Sequence, residues 1–239
     1  MLSRFWSAFT AGPAYLPSAA DRRTIRIAGL ELPLRASTAI VAVTLILLFD
    51  FSRTGIPEEV QALGRAAAAL RYQALERVVL FLLAPVLIVA LAFRDRPLAY
   101  GLRLGNWRWG LGLAAIGCAV MTPIVIAAGS SADFRSFYAV SAASVGDLAI
   151  THVLDLVPTE FLFRGFLMFT LLRAIGPLGI LVAQLPFVFA HLGKPEIELF
   201  STLFGGSVFG WLDWRTGSIW WSAAAHVYIL TLVVVVAST

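Results

Sequence analysis

Residues 218–237 read SIWWSAAAHVYILTLVVVVA, a stretch without a single Asp, Glu, Lys or Arg. A helix crossing the hydrocarbon core of a bilayer needs roughly 20 mostly apolar residues, and paired tryptophans such as Trp220 and Trp221 mark a membrane–water interface. The stretch therefore reads as a span. Working outward, comparable runs occupy about Leu34–Phe51, Val78–Phe93 with Pro85 as a kink, and Gly110–Gly129 behind Trp107 and Trp109. A polar loop, Ser130–Asp147, separates these from further apolar segments at about Leu148–Leu172, Leu178–Phe189 and Ile197–Trp211. The expected fold is all-α, a polytopic integral membrane helical bundle with about seven transmembrane helices (six to eight). Ser52–Arg77, with Glu58, Glu59, Arg65, Arg71 and Arg77 around Ala66–Ala69, reads as a surface-lying or re-entrant helix.

Composition supports the same class. The 239 residues are 59% hydrophobic and 13% charged, with a mean hydropathy of +0.86. Soluble domains carry roughly 45–50% apolar and about 25% charged residues. A soluble globule cannot hide this much apolar surface, and a disordered chain shows the opposite bias. A transmembrane barrel would alternate polar and apolar positions, whereas these runs are continuous. The net charge of +4 is placed in loops and at interfaces, where it fits anionic lipid. Without a basic run interleaved with aromatics, no nucleic-acid partner is expected. Cys118, the one cysteine, excludes an internal disulfide and a multi-Cys metal site, and its apolar surroundings disfavour a thiolate.

Residues 1–33 carry no cleavable signal pattern; Phe5, Trp6 and Phe9 fit one side of a short interfacial helix ahead of Arg22, Arg23 and Arg26. A cytoplasmic N-terminus would place Arg22–Arg35, Arg94–Arg108, Arg173 and Arg215 on one side of the membrane. Arg53, Arg65, Arg71 and Arg77 then fall on the other.

The two halves of the chain use their ionisable residues differently. Residues 1–147 read as spans and basic loops without a specific signature, and 148–239 as the part that holds a site, within one membrane domain. In the second part, spans contain or border His152, Asp155, Glu160, Arg164, His191, Glu196, Glu198 and His226. A charge at the bilayer centre costs about 2.5–3.5 kcal/mol on insertion scales, so such groups face a bundle interior or a wet cavity. Glu160 and Arg164 stand at i and i+4 and share a helix face. The arginine lets the carboxylate stay ionised. A carboxylate so held can take a proton from water, and imidazoles on other spans can donate to a developing oxyanion. By itself the pair reads as a self-neutralising structural bridge, and a lone His in an apolar helix as an ordinary core residue. His191 and His226 downstream supply the remaining parts of a site.

Glu160-x-x-x-Arg164, Phe187-x-x-x-His191 and His226, in this order along the chain, resemble the CPBP family of intramembrane proteases, which includes CAAX prenyl proteases and bacteriocin-processing or self-immunity proteins. Phe163-Arg164-Gly165-Phe166 and Arg215-Thr216-Gly217-Ser218 strengthen the resemblance, which covers about residues 148–237. It implies a glutamate-type intramembrane endopeptidase cleaving a membrane-associated, prenylated or hydrophobic peptide. Glu160 would be the base, Arg164 its anchor, and His191 and His226 the oxyanion donors. Two positions depart from the family pattern: Thr159 stands where it has a first glutamate, and Leu230 where it has an asparagine. A Thr hydroxyl is no base near neutral pH. The role could pass to Glu160 with Thr159 orienting water, to Asp155 (with His152 and Thr159 on one helix face), or to Glu196 or Glu198 from the loop side. The alternative is a catalytically silent CPBP-like scaffold or immunity protein that binds peptides without cutting them. A proton-coupled transporter with a Glu/His relay is a third reading. The scheme needs no cofactor, and zinc at Glu160, His191 and His226 is a minority reading, since no compact His-Glu-x-x-His is present. The expected partners are membrane lipid and a peptide entering from the membrane. The expected location is the bacterial cytoplasmic (inner) membrane. Gly206-x-x-x-Gly210 reads as a close helix-packing surface.

Overall fold

The computed structural model describes residues 13, 15–52, 56–63, 66–140 and 144–239; the expected interfacial helix with Phe5, Trp6 and Phe9 lies outside them, as do Arg53 and Arg65. Ala28 and Gly29 take φ of +51° and +84°, the two left-handed residues that a tight hairpin turn requires. They fold Thr24–Ile27 (β1) antiparallel onto Leu30–Pro33 (β2). This hairpin is the one element outside the all-α expectation among the described residues. It runs directly into α1, Leu34–Ser52.

A short α2, Glu58–Ala62, precedes α3, a continuous rod over Ala67–Ala92. The rod includes π-helical turns at Val78–Leu83 and Ile88–Ala92 on either side of Pro85. The expected separate surface helix ending at Arg77 is thus corrected, for Ala67–Arg77 is the first part of a membrane-length helix. Arg77 is accommodated because Asp50 and Asp155 bind it at 3.1 and 2.8 Å. Trp107–Gly129 forms α4, Ala132–Tyr138 α5 and Val145–Glu160 α6. The chain then continues through a π-helical Phe161–Met168 into α7, Phe169–Ile175. Leu178–Phe189 (α8), Glu196–Thr216 (α9) and Trp220–Ala237 (α10) complete the bundle.

Among the described residues four helices, α1, α3, α4 and α10, are long and apolar enough to cross a membrane. The structure is helical with these four candidate spans, fewer than the seven expected. Two of the other segments are interrupted by their own charges: Asp147, Asp155 and Glu160 in α6, and Glu196, Glu198, Asp213 and Arg215 in α9. The outside of the bundle is apolar, with Leu45, Leu91 and Phe204 61–72% exposed. Its interior holds polar residues, an inversion that suits lipid as solvent.

The elements meet at two ends. At one, Asn106 N–H donates to Thr216 O (2.8 Å) and Ile219 N–H to Gly101 O (3.0 Å). There Trp220 and Trp221 donate Nε1–H to Leu102 O and Leu104 O, and Arg35 donates to Phe93 O. At the other, Arg71 pairs with Asp147 and Val140 N–H donates to Ser238 Oγ. The core of aromatic and aliphatic side chains centres on the π-helical segment, where Phe161, Leu162, Phe166 and Met168 are fully buried.

Candidate functional site

Pro158, inside α6, cannot donate to the preceding turn. The helix widens just beyond it into the π-helical segment, a distortion often found at functional sites. Glu160 and Arg164 sit at this change of pitch, both fully buried, with Arg164 Nη1 3.1 Å from Glu160 Oε2. The guanidinium lies over the Phe187 ring, 3.7 Å from its centroid. Cation–π contact of this kind is worth up to about 2 kcal/mol when desolvated, so Phe187 helps to house the charge. Arg164 Nη2 also donates to Gly206 O, at 3.4 Å. That approach needs a glycine, because a Cβ there would meet the Gln184 Oε1 and sit 3.0 Å from Arg164 Nη2.

The second partner of Glu160 comes from α10. His226 Nδ1 lies 2.7 Å from Glu160 Oε1. Because a carboxylate only accepts, this bond places the proton on Nδ1 and leaves the neutral ring with its lone pair on Nε2. His191, just past the end of α8, places Nδ1 2.8 Å from Phe187 O. A backbone carbonyl also only accepts, so this ring too presents an unprotonated Nε2 when neutral. Neither imidazole is set up to donate from Nε2 in its neutral state, and donation to an oxyanion requires it first to gain a proton.

Both histidines line a cavity of about 390 Å³ enclosed by α4, α5, α8, α9 and α10. Its walls are mostly apolar, including Ile124, Phe209 and Leu230, and Lys194 and Glu198 lie at one end. Glu160 does not line it; His226 stands between the carboxylate and the cavity. Phe187 packs against both imidazoles, with ring centroids 4.6 Å from His191 and 6.1 Å from His226.

The other sequence candidates are placed elsewhere. Thr159 donates its hydroxyl to Asp155 O at 2.8 Å. Asp155 is ion-paired with Arg77, and His152 Nδ1 meets Thr231 Oγ1 at 2.9 Å. None of the three lines the cavity. The face they share differs from that of Glu160: at about 100° per residue, Asp155 and Glu160 diverge by roughly 140°. Glu198 does reach the cavity, but at its end, bonded by Tyr138 Oη at 2.6 Å and by Lys194 Nζ at 2.8 Å. Glu196 is exposed in the first turn of α9. Among the described residues no three His, Cys, Asp or Glu side chains are grouped to hold a metal ion. The set Glu160, His191 and His226 is not among such groups.

Two buried residues escaped the sequence reading. Asp213 is fully buried near the end of α9, and Ser222 near the start of α10. Ser222 Oγ lies 2.8 Å from Asp213 Oδ2 and 3.4 Å from Glu160 Oε2. The reversal at Gly217, with φ +70°, carries Ser222 back against Asp213. Gln184 of α8 is a third addition, donating to Gly206 O at 2.8 Å.

Fold and site together define a membrane-embedded helical protein with a buried Glu–Arg–His cluster under an apolar cavity. Residues 141–232 match the model of the Rce1-like type II CAAX prenyl endopeptidases, a likeness consistent with a CPBP-family protease, and with the apolar helices it marks an integral membrane protein. No curated protein and no solved structure matches the chain.

Proposed function

We propose that this protein is an intramembrane endopeptidase that seats an apolar peptide segment in the cavity and hydrolyses it with a Glu160–His226 pair. The observation that carries the reading is the 2.7 Å bond from His226 Nδ1–H to a fully buried Glu160, with the same imidazole lining the cavity. The mechanism remains dependent on glutamate, but Glu160 works through the ring rather than touching water itself. His226 Nε2 takes a proton from a cavity water as the hydroxide oxygen bonds to the peptide carbonyl carbon. The resulting imidazolium is stabilised by the Glu160 carboxylate and balances the negative charge of the tetrahedral oxyanion. It then returns the proton to the amide nitrogen as the C–N bond breaks, releasing an acid and an amine. Arg164 holds Glu160 ionised and oriented, and His191 supplies a second polar edge to the cavity. The bilayer concerned is a bacterial cytoplasmic membrane.

A second reading is favoured by the Thr159 and Leu230 positions. The Thr159 hydroxyl is committed to a backbone carbonyl, and Leu230 gives the cavity wall an apolar side chain. A silent relative would bind the same peptide without cutting it. The test uses purified protein in proteoliposomes with a membrane-tethered apolar peptide. Wild type should cleave it, with Glu160→Gln and His226→Ala each reducing the rate about 10²- to 10⁴-fold. Peptide bound but uncut by wild type supports the silent reading. A Glu160→Gln variant with full activity refutes the dyad.

A further inference from the structure

The two ends of the bundle differ in charge, and the cavity reaches only one of them. The end held together by the Asn106–Thr216 and Ile219–Gly101 bonds collects Arg22 and Arg23 just before the hairpin, Arg26 on it, and Arg94, Arg96, Arg103 and Arg108 in the 93–109 segment. Arg35, Arg173 and Arg215 stand at helix ends there. Asp21 and Asp95 are its acids near Arg35, at 2.7 and 3.4 Å, with Glu31 on β2. Trp107, Trp109, Trp214, Trp220 and Trp221 lie at this end too. At the opposite end the described residues carry Arg71, Arg135 and Lys194 against Glu58, Glu59, Asp133, Asp147, Glu196 and Glu198. Arg71 and Lys194 are each paired with an acid there. Arg77, which a sequence-only topology would count on this side as free charge, is bound between Asp50 and Asp155.

Loops rich in Lys and Arg remain in the cytoplasm. Of the four arginines that run against this pattern, Arg71 and Arg77 are ion-paired with acids, and by this rule the basic end is the cytoplasmic one. The cavity stops short of it, over the fully buried layer of Arg164, Asp213, Ser218 and Ser222. Toward the other end it runs out to Phe134 and Tyr138 of α5 and to Lys194 and Glu198, whose side chains are 24% and 20% exposed.

We propose that the cavity opens on the extracytoplasmic side of the membrane and takes its peptide from that leaflet. The substrate class that follows is an exported peptide segment, or the outer end of a membrane-anchored one, with an apolar stretch in the cavity and a polar end meeting the Lys194–Glu198 pair. This rests on the cavity being the peptide site, and the orientation is tested separately from that.

The experiment uses full-length protein in a Cys118→Ala background, with a single cysteine introduced as Thr24→Cys on the hairpin or Ala132→Cys at the start of α5. Both positions are exposed. A membrane-impermeant maleimide is applied to right-side-out and to inverted vesicles. The expected result is that Ala132→Cys labels in right-side-out vesicles and Thr24→Cys in inverted ones. The reverse pattern, or equal labelling of both sites in either preparation, overturns the orientation. In a second arm, an apolar photoreactive peptide with a fixed polyionic end, unable to cross the bilayer, is added outside each kind of vesicle. Crosslinking to α9 or α10 in right-side-out vesicles alone supports access from the outer leaflet, and crosslinking in inverted vesicles alone refutes it. If crosslinking is absent from both vesicles and from detergent-solubilised protein while maleimide labelling follows the expected pattern, the peptide site has failed and the orientation stands.

Discussion

Removing Glu160 and Arg164 singly and together separates a mutually neutralising buried pair from two independent contributors. Both side chains are fully buried and approach to 3.1 Å. At that distance, with an effective dielectric constant near 20, the attraction is about 5 kcal/mol. The larger consequence comes from what a single substitution leaves behind. Arg164→Met abandons a carboxylate held by His226 and Ser222, and Glu160→Gln abandons a guanidinium left with Gly206 O and the Phe187 and Phe209 faces as partners. Breaking a buried pair from one side costs about 3–5 kcal/mol, whereas exchanging both charges for neutral groups of similar volume is often close to neutral. The double variant Glu160→Gln/Arg164→Met keeps an acceptor for the His226 Nδ1–H, so its cost is expected near 1–3 kcal/mol. The two single costs sum to about 6–10 kcal/mol, and the cycle should therefore show a coupling of at least about 3 kcal/mol. Equilibrium unfolding in mixed micelles, followed by tryptophan fluorescence, measures all four corners. If the double variant costs the sum of the singles within about 0.5 kcal/mol, the pair is not the electrostatic unit described here and Arg164 does not anchor Glu160.

Three further outcomes follow from specific contacts. Gly206→Ala forces its Cβ into the Gln184 amide and against Arg164; it should cost about 1–3 kcal/mol and lower activity, while Gly205→Ala, where a Cβ meets nothing within 4 Å, should do neither in the same unfolding and cleavage assays. Asp155→Asn should leave peptide cleavage within a few-fold of wild type while lowering stability, because its carboxylate serves Arg77 rather than the cavity; a loss as large as that of Glu160→Gln would return Asp155 to the site. Burial raises the Asp21 carboxyl, but hydrogen bonds from Ser18 and the Arg35 guanidinium outweigh it and hold the group below the usual carboxylate range. Its stabilising contribution is therefore complete above the ordinary carboxylate range and is lost as pH falls toward the lowered native value. An unfolding series from pH 7 to pH 3 on wild type and Asp21→Asn should show a smaller acid loss in the variant.

The residues that sequence reading found and missed differ in how far their partners lie along the chain. Glu160 and Arg164 were legible because four residues on one helix bring them together whatever the rest of the protein does. They stood out because charges in an apolar run demand a partner. Asp155 and Thr159 were legible too, yet their role was not, since a change of 100–140° around the helix axis turns them to a different neighbour, and the widened turn after Pro158 cannot be placed by periodicity. Asp213 and Ser222 carried no such signal. Within Trp211-Leu-Asp-Trp-Arg215 the acid reads as one more interfacial charge, and a serine beside two tryptophans reads as a helix start. Only the left-handed residue Gly217 and the bond from Ile219 N–H to Gly101 O, between segments more than a hundred positions apart, fold that corner tightly enough to bury both against Glu160. The same division explains the charge asymmetry of the two ends. The arginines are visible in the chain, but which of them remain free to set orientation depends on ion pairs such as Asp50–Arg77–Asp155, made by three separate helices. Local spacing thus names the candidate groups, and long-range packing decides which of them face the cavity.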